Sequence, residues 1–235
     1  MTEPLRAPFF EIGPKNLLRR RELEELARAA GAAARQYGVD VVLTVPNAMV
    51  APIAELDTGI RVFAQSMDCD PLGPSFGRIT AEALLDAGAV GVMLNHDAAP
   101  LDAETLAATV VRARDAGLLT IVCAGTEREA LSHTALRPTA VLFEPPALIG
   151  TSGPGERDWI RPITAAMRRI DDGVLAMHAG GVSSALVARD IMAAGADGTG
   201  STSGVLSAEN PLSAAGEFIA GARAGWDDAH TTTDL

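Results

Sequence analysis

The chain has 235 residues, 19 basic and 30 acidic side chains and a net charge of −11; 48% of it is hydrophobic and only 4% aromatic. That length suits one α/β barrel of roughly 200–250 residues, and a core poor in aromatics must be built from Ala, Val, Leu and Ile, as buried parallel strands are. The acidity argues against nucleic acid or an anionic membrane as the partner, yet leaves room for an anionic substrate in a locally positive site.

Apolar, β-rich runs alternate with amphipathic segments along the whole chain. A strand over residues 8–13 runs into Pro14-Lys15 and is followed by helical periodicity over 22–36. The next strand, 40–45, leads to Pro46, which opens a short helical stretch to residue 55 at the first-turn position that proline tolerates. After a strand at 61–65 come a loop at 66–76 and a helix at 79–87. The strand at 90–95 ends on His96, and Asp102 stands as N-cap of a helix over 103–116. A strand at 119–124 and a helix at 127–134 follow. The strand at 140–143 ends on Glu144, with Pro145-Pro146 and then Ile149-Gly150-Thr151 behind it. Helix 159–170, strand 174–179, helix 184–194, strand 195–200 and helix 212–226 complete the series, and a polar tail over 227–235 is expected to fray.

Eight βα units with no linker or shift in composition imply one domain spanning 1–235. Strict alternation implies a parallel sheet, either closed as a barrel or open and doubly wound, and eight units in this length favour the (β/α)8 barrel. Cys69 and Cys123 are far apart and lack any ligand spacing, so neither a disulfide framework nor a metal site is expected. The N-terminus shows no basic region followed by an apolar run, and no stretch approaches a membrane span, so a soluble cytoplasmic protein is expected.

Three polar side chains close three different strands. Glu144 is costly at a buried strand end unless it is paired or functional; it reads either as a structural carboxylate or as a general base whose pKa rises on desolvation. The prolines behind it stiffen one end of a loop and Gly150 frees the other, as in a hinged lid. His96 reads as a satisfied core histidine or as a neutral imidazole donating to a substrate carbonyl, and Lys15 as a solvated lysine or as a cation in the barrel mouth. Gly180, Gly181 and Ser183 follow the seventh strand, and Ser203 and Gly204 the eighth, where barrels bind phosphate. Gly198-Thr199-Gly200 follows the last strand and not the first, which rules out a dinucleotide fingerprint.

In that order, with that loop, these residues resemble the triosephosphate isomerase family, most nearly its short archaeal-type sequences, over residues 9–226. The resemblance implies a proton-transferring isomerase of a small phosphorylated sugar, a triose phosphate or a four-carbon ketose phosphate, acting through an enediol without metal or organic cofactor. It implies Glu144 as base, His96 as electrophile, Lys15 as the charge on the substrate oxygen, and Gly150 with the two later glycine turns as phosphate site. It also implies a homodimer or homotetramer, since the loop at 66–76 matches one that protrudes into a neighbouring subunit.

Two departures mark the chain as a divergent paralogue. The family's Asn-x-Lys reads Gly13-Pro14-Lys15, and its Ser-Glu after the histidine reads Asp97-Ala98. Loss of the asparagine is expected to widen and de-polarise the floor of the site. Asp97 is expected to recover part of the lost pairing with the lysine, with Asn95 as a second auxiliary residue. A non-catalytic phosphate-binding paralogue and a Lys15-dependent aldolase or cyclase are the alternative readings.

Overall fold

Each apolar run becomes a short strand whose alternate side chains must find separate places, one set on the barrel axis and the other under the helices. In the computed structural model, which describes residues 3–148 and 157–231, the strands are β1 (Phe9–Ile12), β2 (Asp40–Val45), β3 (Arg61–Ala64), β4 (Gly91–Leu94), β5 (Leu119–Ala124), β6 (Ala140–Phe143), β7 (Leu175–His178) and β8 (Gly198–Gly200). Neighbours pair in parallel in sequence order, and β8 pairs back onto β1 to close the barrel.

The surrounding helices are α1 (Arg20–Tyr37), α2 (Val50–Ala54), α3 (Ala81–Asp86), α4 (Ala103–Ala116), α5 (Glu127–Thr134), α6 (Ile160–Ile170), α7 (Ala185–Ala193), α8 (Ser203–Leu206) and α9 (Pro211–His230). Among the described residues no helix is long and apolar enough to cross a membrane.

Local hydrogen bonding explains where these elements depart from periodicity alone. α1 begins two residues early because the Glu22 carboxylate accepts the Arg19 amide at 2.8 Å and closes the first turn. β8 is short because Asp197 ahead of it turns its carboxylate to the Ala176 amide and to Arg168, both at 2.8 Å. Pro46 precedes a 3-10 turn, Asn47–Met49, which then continues into α2. α9 runs on to His230, through residues expected to fray, since Asp227 holds Arg223, Asp228 holds Arg189, and His230 stacks on Trp226. α8 was not expected at all.

The barrel axis is filled by matched pairs. Phe9 and Gly198 are register partners across β1 and β8, as are Phe63 and Gly91 across β3 and β4. Both rings are completely buried, and a Cβ on either glycine would collide with the ring opposite. The glycines therefore create the volume that the aromatic rings occupy.

Gly198→Ala forces a methyl into the Phe9 ring. It is expected to destabilise by about 1–3 kcal/mol, the range for overpacking a core. Thermal unfolding should show the loss, and adding Phe9→Leu should recover part of it.

Candidate active site

The carboxyl ends of the strands open into one cavity of about 430 Å³, which receives Lys15 from the loop after β1, His96 after β4, Glu144 after β6 and the Gly180-Gly181 turn after β7. The three polar side chains singled out from the sequence therefore face one mouth. Ala147 and Leu148 close the described part of the segment after Glu144; Gly150 lies outside the described residues.

Lys15 is held in an unusual backbone state. Its φ is +50°, in the left-handed region that costs a non-glycine residue on the order of 1–2 kcal/mol. Gln65, directly after β3, donates from its side-chain amide to the Lys15 carbonyl at 2.9 Å and fixes that conformation from two strands away. Gln65 is itself placed by Asn47, whose side-chain oxygen accepts the Gln65 amide at 3.1 Å. The ammonium is exposed and makes no salt bridge among the described residues.

His96 takes its protonation state from the turn that follows it. Its Nδ1 accepts the Ala98 amide at 3.0 Å, so the proton of the neutral ring sits on Nε2. Burial lowers the pKa of His96 and nearby Lys15 lowers it further, against a smaller opposing effect of Asp97. The ring is thus a neutral hydrogen-bond donor with its acceptor side already occupied.

Glu144 is half-buried, and burial raises its carboxyl above the usual range, with Lys15 pulling it down and Asp97 pushing it up. The turn after β7 comes close to it. Gly180, at φ +103°, has no side chain to meet Leu148, whose Cβ would lie 2.9 Å from a Cβ at that position.

The glycine turns divide into lining and support. Gly180, Gly181 and Ser203 line the cavity, whereas Ser183 and Gly204 do not. Gly204 lacks a Cβ because the Val182 carbonyl packs directly against it, and Ser201 Oγ donates to the same carbonyl at 2.7 Å. Thr202 Oγ1 donates to the Gly13 carbonyl at 2.7 Å, which ties the loop after β8 to the loop after β1. Asn95 is not in the cavity either. Its side chain spans from the Cys123 carbonyl at 3.0 Å to the Leu101 amide at 2.9 Å and so holds two loops together.

Two expectations about the departures are overturned. Asp97 is exposed and forms no ion pair with Lys15 among the described residues, so it does not restore the missing charge pairing. The floor is not de-polarised. Glu11, on the inward face of β1, is only 6% exposed and turns its carboxyl toward the gap at Gly13, where a Cβ would meet its Oε1 at 2.9 Å. Burial raises its pKa to about 7, the Thr44 hydroxyl opposes that rise, Glu144 adds to it and Lys15 opposes it.

Glu11 was missed because it lies inside an apolar run and not at the end of one. The signal was there, since a carboxylate amid Phe9, Phe10 and Ile12 is as costly as Glu144 at its strand end. Among the described residues no group of three or more His, Cys, Asp or Glu side chains could hold a metal ion, and both cysteines are free thiols.

The Glu11 shift makes a pH prediction. A folded-state pKa of about 7 against an ordinary value of 4.5 leaves the protein most stable below pH 4.5 as far as this group is concerned, with stability lost as pH rises to about 7. The full loss is on the order of 3 kcal/mol. Glu11→Gln should flatten the fall in melting temperature between pH 5 and 8; an unchanged slope would place the titration elsewhere.

Comparisons with known proteins accord with this geometry. The family model described as triosephosphate isomerase matches residues 15–218. The triosephosphate isomerase of Sulfolobus acidocaldarius is 32% identical over 197 residues, 83% of this chain and 85% of that protein. That of Cenarchaeum symbiosum is 30% identical over 217 residues, 91% of this chain and 97% of its own. The crystal structure of triosephosphate isomerase from Bartonella henselae superposes with a TM-score of 0.62 at 20% identity, covering 83% of this chain and 91% of that one.

Proposed function

The chain belongs to the triosephosphate isomerase family, and we propose that it isomerises a small sugar phosphate between its aldose and ketose forms through an enediol. The observation that carries this reading is the pairing, across one cavity, of a neutral histidine donor with a carboxylate made more basic by burial. Glu144 removes the proton from the carbon beside the carbonyl and returns it to the adjacent carbon. His96 donates its Nε2 proton to the carbonyl oxygen and takes one back from the neighbouring hydroxyl, so that the net change is a shift of hydrogen within the substrate. Lys15 supports the developing negative charge.

A neutral imidazole suits this role because its donor strength is matched to an enediolate oxygen, and the Ala98 amide keeps the ring in the tautomer that donates. The phosphate is taken by the rim formed by Gly180, Gly181 and Ser203, with Gly150 belonging to the same reading. Lys15 lies exposed at that rim, without the apolar enclosure that a Schiff-base lysine needs, which counts against an aldolase.

Incubation with triose and tetrulose phosphates in D₂O should place deuterium on carbon. Glu144→Gln should reduce that exchange by about 10²–10⁴-fold while leaving affinity for inorganic phosphate nearly unchanged. Exchange that survives this substitution would show that another group is the base, and a protein with no exchange at all would be a binder.

The same reading includes a second copy of the chain. In the loop after β3, Met67 is 5% exposed and anchors the loop in its own barrel. Leu72 at 67% and the fully exposed Phe76 are the apolar side chains left without cover. Light scattering at micromolar concentration should give at least twice the 24.3 kDa of one chain, and Phe76→Asp should shift the distribution toward monomer.

A further inference from the structure

Beneath the residues assigned above, the cavity holds two polar groups that the proposed isomerisation does not use. Glu11 and Thr44 both line it, from β1 and β2, and both are nearly fully buried. Glu11 Oε1 and Thr44 Oγ1 face each other closely enough for the Thr44 hydroxyl to act on the carboxyl, yet neither makes a well-formed hydrogen bond, and among the described residues no third side chain joins them. A buried polar pair whose hydrogen-bonding capacity is not filled gains from a ligand atom that fills it.

The surroundings say what kind of atom that is. Gly13 and Gly200 flank the carboxyl, a Cβ on either lying within 3.0 Å of one of its oxygens, so no other side chain reaches it from those positions. Its charged form is disfavoured by burial and by Glu144. Lys15 opposes that shift without reversing it, and Cys123, a further group that Glu11 acts on, is a buried thiol whose pKa is pushed up by burial. A neutral carboxyl beside a hydroxyl offers a donor and an acceptor at close quarters. That set can both give and accept a hydrogen bond, which complements an alcohol, whereas a phosphate dianion offers no proton to the accepting side.

A triose phosphate has two oxygens besides its phosphate, and both are spoken for by His96 and Lys15 if the isomerase reading holds, on which this step rests. We propose that Glu11, with Thr44, is a specificity-determining pair that hydrogen-bonds a further hydroxyl at the unphosphorylated end of the substrate. The preferred substrate class is therefore a sugar phosphate with at least one more hydroxyl-bearing carbon than a triose. Glu11 supplies from two residues earlier on the strand the polar floor that Gly13 lacks.

Inert polyol phosphates test this without turnover. Calorimetric titration of the wild-type protein should show a tetritol phosphate binding on the order of tenfold or more tighter than its analogue lacking the terminal hydroxyl. Glu11→Leu should erase that difference, Thr44→Val should reduce it, and Glu11→Gln, which keeps a donor and an acceptor, should retain part of it. Inorganic phosphate reports whether the rim remains folded in each variant. Equal wild-type affinity for the two polyol phosphates, or discrimination that survives both Glu11→Leu and Thr44→Val, would overturn the proposal. Discrimination that vanishes in these variants, in a protein that exchanges no deuterium into any sugar phosphate, would uphold the hydroxyl site and sink the isomerase reading instead.

Discussion

Eight short strands aim alternate side chains at one axis, and the limited volume along that axis is the constraint on which the rest of the molecule depends. Phe9 and Phe63 fit at the lower end only because Gly198 and Gly91 face them. Two residues beyond Phe9, the same inward face of β1 delivers Glu11 to the floor of the cavity. The period of two that buries the ring also buries the carboxyl. Stripped of water and set near Glu144, Glu11 is pushed toward the neutral acid. Glu144, nearer the mouth and facing Lys15, is less completely desolvated. One cavity thus holds two carboxyls in different electrostatic settings, the deeper one pushed further toward the neutral acid.

The rim above them is fastened by a few hydrogen bonds between loops that are distant in sequence. Gln65 grips the Lys15 carbonyl, Thr202 grips that of Gly13, and Ser201 grips that of Val182. The loops after β1, β3, β7 and β8 are thereby joined at backbone atoms. Arg157 adds a bond to the Gly180 carbonyl at 2.9 Å. Because these contacts hold main chain and not the functional side chains, they fix where Lys15 and the glycine turn stand and leave the ammonium free to meet an anion. The left-handed backbone of Lys15 persists because Gln65 compensates its strain locally.

The barrel and the mouth residues were legible in the sequence for a physical reason. β2, β5 and β6 match their expected bounds because each is a short, mostly apolar run with abrupt ends. Lys15, His96 and Glu144 stand just past such ends, where a polar residue is conspicuous. What stayed hidden has reasons of the same kind. α8 is too short to show a period, and β8 is trimmed by bonds of Asp197 that no local pattern encodes. Glu11, Thr44 and Gln65 are polar residues at inward positions inside or directly after strands. Only closure of the barrel turns those positions into a cavity wall.

The two departures from the family then have different weights. Gly13 and Glu11 form one exchange, since a side chain at 13 would collide with the carboxyl and removal of the carboxyl would leave a void beside a glycine. Neither position can change alone without cost. At Ala98 the loss touches only the side chain, while the backbone amide of that residue holds Nδ1 of His96. The donor tautomer therefore does not depend on which residue stands there. What the alanine removes is a partner for Lys15, and exposed Asp97 does not replace it. With no carboxylate paired to the ammonium among the described residues, its charge stands unneutralised at the mouth of the cavity.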